Sequence, residues 1–148
     1  MLITILLLFA GYGCLIIYYW QSWNAIPEYV PKDIPASIKI SVIIPARNEE
    51  DNIGQLLQAL QNQTYPAHLF EVIVIDDHST DKTAMIVQQF PSVRLIQLNE
   101  DNINSYKKKA IDTGIAAATG DLIVTTDADC LPGNNWLTTI AAFKTEKQ

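Results

Sequence analysis

No lysine or arginine precedes Lys32, and the stretch from Met1 to Trp20 carries no charge at all. That lack removes the basic start of a cleaved secretory signal. Cysteine is scarce: Cys14 and Cys130 are the only two, so no disulfide framework is suggested. No Gly-x-Gly-x-x-Gly follows the first strand-like run, and no Walker loop is present. A dinucleotide dehydrogenase and a P-loop nucleotidase are thereby disfavoured. Neither His68 nor His78 is placed as the base of a Ser–His–Asp or Cys–His arrangement. Basic residues are the minority, 10 against 16 acidic ones, for a net charge of −6. No basic face is discernible, so phosphate repulsion argues against nucleic acid as a partner. An acidic protein still takes a phosphorylated small molecule when a divalent cation neutralises both sides.

What the chain does have begins with its apolar start. At ~1.5 Å of rise per residue, Met1–Trp20 is long enough to cross a hydrocarbon core of about 30 Å. Tyr18, Tyr19, Trp20 and Trp23 form an aromatic cluster where a membrane interface would lie. Gly13-Cys14 is a lipoprotein-like pair, but the apolar run continues past it, as in an uncleaved transmembrane anchor. Lys32, Lys39 and Arg47 follow the anchor while no basic residue precedes it, which places the C-terminal part on the cytoplasmic side. Residues 21–37, with Pro27, Pro31 and Pro35, read as a stiff linker. Residues 38–148 then form one small soluble domain.

That domain alternates between periods of two and 3.6. Strands are expected at Lys39–Pro45, Phe70–Ile75, Val93–Leu98 and Asp121–Thr126. Helices are expected at Glu50–Gln63, Thr80–Phe90 with Ser79 or Thr80 as N-cap, Tyr106–Ala118 and Asn134–Lys144. A polar loop joins Asn99 to Ser105. Repeated strand–helix alternation predicts an α/β fold with a parallel, doubly wound sheet, preceded by one transmembrane helix. Parallel strands point one way, so the polar residues after the first, second and fourth strands should meet at the carboxyl edge, where such sheets bind ligands.

Asp127-Ala128-Asp129 is the sharpest of these clusters. In an extended chain both carboxylates would face one ion, and hard oxygen ligands suit Mg²⁺ or Mn²⁺ completed by water and a diphosphate. The plainer alternative is a turn after a strand, with Pro132-Gly133 following. Asp76-Asp77 reads either as helix entry or as a contact to a base imide or a ribose hydroxyl. Arg47 could pair with a diphosphate, with Glu49 or with Asp77. Lys107-Lys108-Lys109 is either a solvated face or, set against the helix dipole, a phosphate contact. His78 is assigned no role.

Taken together, these residues resemble the family 2 glycosyltransferases of the GT-A fold. The resemblance rests on Ser41-Val42-Ile43-Ile44-Pro45-Ala46-Arg47-Asn48-Glu49-Glu50, on Val74-Ile75-Asp76-Asp77-His78-Ser79-Thr80-Asp81, on Lys107 with Ala110, Ile111 and Gly114 ahead of Gly120-Asp121, and on Thr126-Asp127-Ala128-Asp129. It covers about residues 38–140. It implies an enzyme, an inverting hexosyltransferase, that holds a nucleotide-diphosphate sugar with Mg²⁺ or Mn²⁺. By it, Pro45, Arg47 and Glu49 would line the nucleotide pocket, and Asp77 with Asp76 beside it would contact the base. Lys107 would lie near the phosphates, and Asp127 and Asp129 would hold the metal, Asp129 the more directly. The family's acceptor half, with its catalytic aspartate, normally follows the Asp-x-Asp by many residues. Here Glu146 is the only acidic residue after Asp129, and it is not assigned as the base. The expectation is a donor-binding half of a membrane-anchored transferase with its acceptor unknown. The alternative is a non-catalytic nucleotide-binding module that regulates or pairs with a membrane partner.

Overall fold

The computed structural model describes residues 2–31, 35–99 and 106–147. Two compact units divide at Val30/Pro31. The first is a single helix, α1 (Leu2–Asn24), none of whose residues is buried. Its leucines, isoleucines and aromatics face outward on every side rather than along one stripe. It is long and apolar enough to cross a membrane. The helix runs through Asn24, past Trp20, so it takes up the first residues of the expected linker.

The second unit contains β1 (Ile40–Ala46), α2 (Ile53–Gln61), β2 (Phe70–Asp76), α3 (Thr83–Val87), β3 (Val93–Gln97), α4 (Tyr106–Ala117), β4 (Leu122–Thr125) and α5 (Trp136–Glu146). A short 3-10 turn, Ala67–Leu69, precedes β2. The four strands are all parallel, in the order β3-β2-β1-β4. The chain runs outward from β1 to β3 with α2 and α3 on one face, as the usual right-handed connection requires. Returning to the far side of β1 reverses the direction, and the same hand then puts α4 on the opposite face.

The core divides accordingly. Ile40, Val42, Ile44 and Ala46 of β1 pack with Ile53, Leu56, Leu57 and Leu60 of α2 and with Leu137 and Ala141 of α5. Ile43, between them in sequence, packs on the other face with Ile73, Ile75 and Ala110 of α4. This is the period-two alternation of a strand covered on both sides. Gly114 lets α4 lie directly on that face, since a Cβ there would collide with Ile43 Cγ2.

Two helices are shorter than their periodicity predicts. α2 starts at Ile53 rather than Glu50, and α3 keeps only Thr83–Val87 of the expected Thr80–Phe90. Neither Ser79 nor Thr80 caps α3: Ser79 Oγ accepts from Asn48 N (3.0 Å), and Lys82 stands at the helix start. Side chains instead bond across between these loops, with Glu50 N on Asp81, Thr80 N on Asn48 and Lys82 N on Glu50. The expected loop from Asn99 to Ser105 lies outside the described residues beyond Asn99.

One polar cluster ties β4 to the centre. Glu71 Oε1 accepts from Ser41 Oγ (2.6 Å), Thr119 N (2.7 Å) and Thr119 Oγ1 (2.8 Å), while Gly120 N donates to Ser41 Oγ at 2.9 Å. Partial burial pushes the Glu71 carboxyl up, but these donors and the nearby Lys39 outweigh it, holding it below the ordinary 4.5. A depressed carboxylate stabilises the fold above its unfolded pKa, and that contribution is lost as pH falls through the folded value. Melting curves of the parent and Glu71→Gln should therefore differ most above pH 4.5 and converge in acid. A gap independent of pH would show that the charge on Glu71 contributes nothing.

Candidate functional site

The chain reverses direction on either side of β1, so a crevice opens between the carboxyl ends of β1 and β4. β4 pairs with β1 only from Ile40↔Leu122 to Ile43↔Thr125. Ile43 O accepts from Thr126 N (3.2 Å), so the backbone of Ile43 faces β4, and Pro45, two residues on, faces the same side. β4 has ended by then, so no ladder bond is lost to a proline in a central strand.

A cleft of about 350 Å³ lies there, lined by Pro45, Ala46, Arg47, Glu49, Asp77, Lys107, Ala110, Asp127, Ala128 and Asp129. That volume is within the range of about 300–1,000 Å³ usual for small-molecule sites. The structure thus brings together Pro45, Arg47, Glu49, Asp77, Lys107, Asp127 and Asp129 of the candidate residues. Asp76 is not among the lining residues. It is only 2% exposed, and its carboxylate accepts from Ser79 N (3.2 Å) and Gln97 Nε2 (3.2 Å). Its carbonyl also accepts from Leu98 N (2.9 Å), so Asp76 joins β2 to its loop and to β3.

Asp77 faces the cleft instead. Its N–H donates to Ala46 O (2.8 Å), extending the β1–β2 pairing by one residue. Its buried carboxylate receives His78 Nδ1 at 2.9 Å and has the Arg47 guanidinium 3.6 Å away. Of the partners open to Arg47 from sequence, the structure supplies Asp77. His78 thereby gains a role the sequence did not reveal, holding Asp77 from a left-handed backbone (φ 57°).

The loops after β1 and β2 are laced together. Asn48, also left-handed at φ 55°, accepts through Oδ1 from Thr80 N (2.9 Å). Glu49 N donates to Thr83 Oγ1 (2.8 Å), Glu50 N to Asp81 Oδ2 (3.1 Å), and Lys82 N to Glu50 Oε2 (3.0 Å). Desolvation pushes the Asp81 carboxyl up, and donation from the Thr83 hydroxyl, Thr83 N and Glu50 N brings it net below the usual aspartate range. Asparagine tolerates the left-handed region better than most residues, which suits it to position 48. These partners are about thirty residues apart in sequence, so no single window discloses them.

The Asp-x-Asp departs from the extended geometry expected of it. β4 stops at Thr125, and Asp127–Cys130 forms a turn in which Cys130 N donates to Asp127 O (3.3 Å). Both carboxylates nonetheless line the cleft, through a turn rather than through strand alternation. Lys107 Nζ donates to Asp127 Oδ1 at 2.7 Å, with both side chains more than half exposed. That hydrogen bond, then the charge of Asp127, raises the Lys107 ammonium above its ordinary value. Among the described residues no group of three or more His, Cys, Asp or Glu side chains gathers into a protein-only metal cage. A pair of exposed carboxylates fits Mg²⁺ or Mn²⁺, which commonly take one or two carboxylates and complete the shell with phosphate and water.

The sequence pattern of Glycosyl transferase family 2 matches residues 41–147. The chain belongs to that family. The family 2 chain is 38% identical over 105 residues to the probable glycosyltransferase YdaM of Bacillus subtilis, covering 68% of this chain and 24% of that protein. It resembles the solved mannosyltransferase PcManGT of Pyrobaculum calidifontis, in complex with GDP-Man and Mn²⁺, at a TM-score of 0.72 and 31% identity, covering 90% of this chain and 41% of that one. Staphylococcus aureus TarS 1-349, in complex with UDP-GlcNAc, matches at a TM-score of 0.62 and 32% identity, covering 74% and 32% respectively. The family 2 chain spans about a third or less of the length of the first curated relatives it matches, 24%, 33% and 19%. Its four-stranded, all-parallel sheet with flanking helices is that of a GT-A fold.

The alanines at 46, 110 and 128 also line the cleft, a contribution the sequence reading missed. Their signal was their position, each within a motif otherwise read for its charges.

Proposed function

We propose that this chain is the donor-binding part of a membrane-anchored, inverting hexosyltransferase, holding a nucleotide-diphosphate sugar with a divalent ion. The observation that carries this reading is a single cleft at the topological reversal that gathers Asp127 and Asp129 with Lys107, Arg47 and Asp77. Asp77, kept in place by His78 and backed by the buried Asp76, is the base contact. Pro45, Arg47 and Glu49 line the nucleotide side, and Lys107 serves the diphosphate. Asp127 and Asp129 would hold Mg²⁺ or Mn²⁺. When bound, such an ion supplies positive charge to the leaving nucleoside diphosphate. Deprotonating the acceptor hydroxyl needs a carboxylate that is assigned to none of the described residues. The ligands of PcManGT and TarS, GDP-Man with Mn²⁺ and UDP-GlcNAc, support the donor class. α1 would anchor the chain, and the basic residues after it favour a cytoplasmic domain.

The test is calorimetric titration of the whole chain in detergent micelles with UDP, UMP, GDP and GMP, with and without Mn²⁺. One of the diphosphates should bind only with Mn²⁺, and its monophosphate about tenfold or more weakly. Binding indifferent to both the ion and the second phosphate would overturn the reading. Hydrolysis of the donor sugar, or transfer from it, would exclude the non-catalytic module.

A further inference from the structure

Lys107 lies in the first turn of α4 (Tyr106–Ala117), where a cation opposes the helix dipole. The structure nevertheless directs its ammonium to Asp127 Oδ1 at 2.7 Å, one of the two carboxylates that a divalent ion would require. Asp127 and Lys107 are 55% and 63% exposed, so the contact is of the weak, solvent-screened kind that a competitor displaces readily. Among the described residues the charges lining the cleft are unbalanced, with Glu49, Asp77, Asp127 and Asp129 against Arg47 and Lys107. A diphosphate entering alone would add negative charge to a surplus of carboxylates. A dication entering alone would have to share Asp127 with an ammonium already on it, and two cations on one carboxylate repel.

We propose that Lys107 is an exchangeable counter-ion that couples the two ligands. With no donor present it neutralises Asp127, and it releases that carboxylate when a diphosphate arrives to receive its ammonium. The long, exposed lysine stem allows this transfer with no movement of the backbone. The consequence is mutual dependence: each ligand raises the affinity of the other by the same factor. This inference rests on the donor-binding reading above.

The experiment is a binding cycle on the whole chain in micelles, for the parent, Lys107→Met and Lys107→Arg. Mn²⁺ alone is followed by the loss of its free electron paramagnetic resonance signal, and the UDP or GDP that the parent binds is titrated with and without Mn²⁺. In Lys107→Met, Mn²⁺ alone should bind about two- to fivefold tighter, the size of a removed surface ion pair. The nucleoside diphosphate in saturating Mn²⁺ should bind about tenfold weaker or worse, the size of a lost charge-assisted hydrogen bond. Lys107→Arg should restore most of the nucleotide affinity. A merely structural lysine would move both ligands the same way or neither. Unchanged or weakened Mn²⁺ binding in Lys107→Met, with the parent binding both ligands, overturns the counter-ion role alone. A parent that shows no Mn²⁺-dependent nucleotide binding overturns the donor-site reading beneath it.

Discussion

Asp129→Asn should lose more than about a hundredfold in Mn²⁺-dependent nucleotide affinity while melting within a degree or two of the parent. Changes to groups that only support a metal ligand commonly cost 10–100-fold in affinity, so about a hundredfold is a floor for losing a ligand itself. The fold should be indifferent to the change. Asp129 is exposed in the turn after β4, and its Oδ1 accepts from the thiol Cys130 Sγ at a long 3.9 Å. Asparagine keeps the shape and removes the charge. Calorimetry with UDP or GDP and Mn²⁺, beside a thermal melt, separates the two effects. Parental affinity in the variant would remove Asp129 from the proposed metal site, and a large drop in melting temperature would make it a structural residue.

The second large effect is on stability and lies away from the cleft. A Cβ placed on Gly120 would stand 2.7 Å from Ser41 N, 2.8 Å from Ile40 C and 2.8 Å from Lys39 O. All three are backbone atoms leading into or lying within the central strand, so no flexible side chain can yield. Gly120 also sits between the bonds that start β4, with its N–H on Ser41 Oγ and the next two N–H groups on Lys39 O at 2.7 and 3.1 Å. Gly120→Ala should therefore cost about 3 kcal/mol, the upper part of the overpacking range. For a domain of this size that lowers the melting temperature by about 10 °C. Gly54→Ala is the control. There the nearest atom is Ile86 Cγ2 at an ordinary 3.5 Å, and alanine in a helix gains about 0.5–1 kcal/mol over glycine. Differential scanning calorimetry should move the two variants in opposite directions. If Gly120→Ala melted with the parent, the close approach would be relieved by a backbone shift, and β4 would be more loosely seated than described.

Where the sequence was informative, the information was periodic or contiguous. Alternating periods of two and 3.6 disclosed the strands, the helices and the parallel sheet, because burial on both faces of a strand leaves an unbroken apolar run such as Val72–Ile75. Motif residues after three of those runs could be expected at one edge for the same reason. Strand order was not legible, since nothing in Leu122–Thr125 names Ile40–Ile43 as its partner. The different environments of Asp76 and Asp77 were hidden as well. Two adjacent aspartates look alike until Gln97 and Ser79 claim one and the cleft receives the other. The short α3 and the loop lacing failed to show for a related cause: their hydrogen bonds join residues some thirty positions apart.

The reversal in strand order also bears on how the chain is made. Ser41 and Gly120, whose bond seats β4, are 79 residues apart. Synthesis proceeds from the N-terminus, so β1, β2 and β3 leave the ribosome well before β4. Through that interval one flank of the most buried strand has backbone groups with no partner, the kind of edge that recruits strands from other chains. Docking of Leu122–Thr125 closes this edge and brings Asp127 and Asp129 to the cleft in one event. A nascent chain thus gains Asp127 and Asp129 at the cleft at the moment the open flank of its most buried strand is covered.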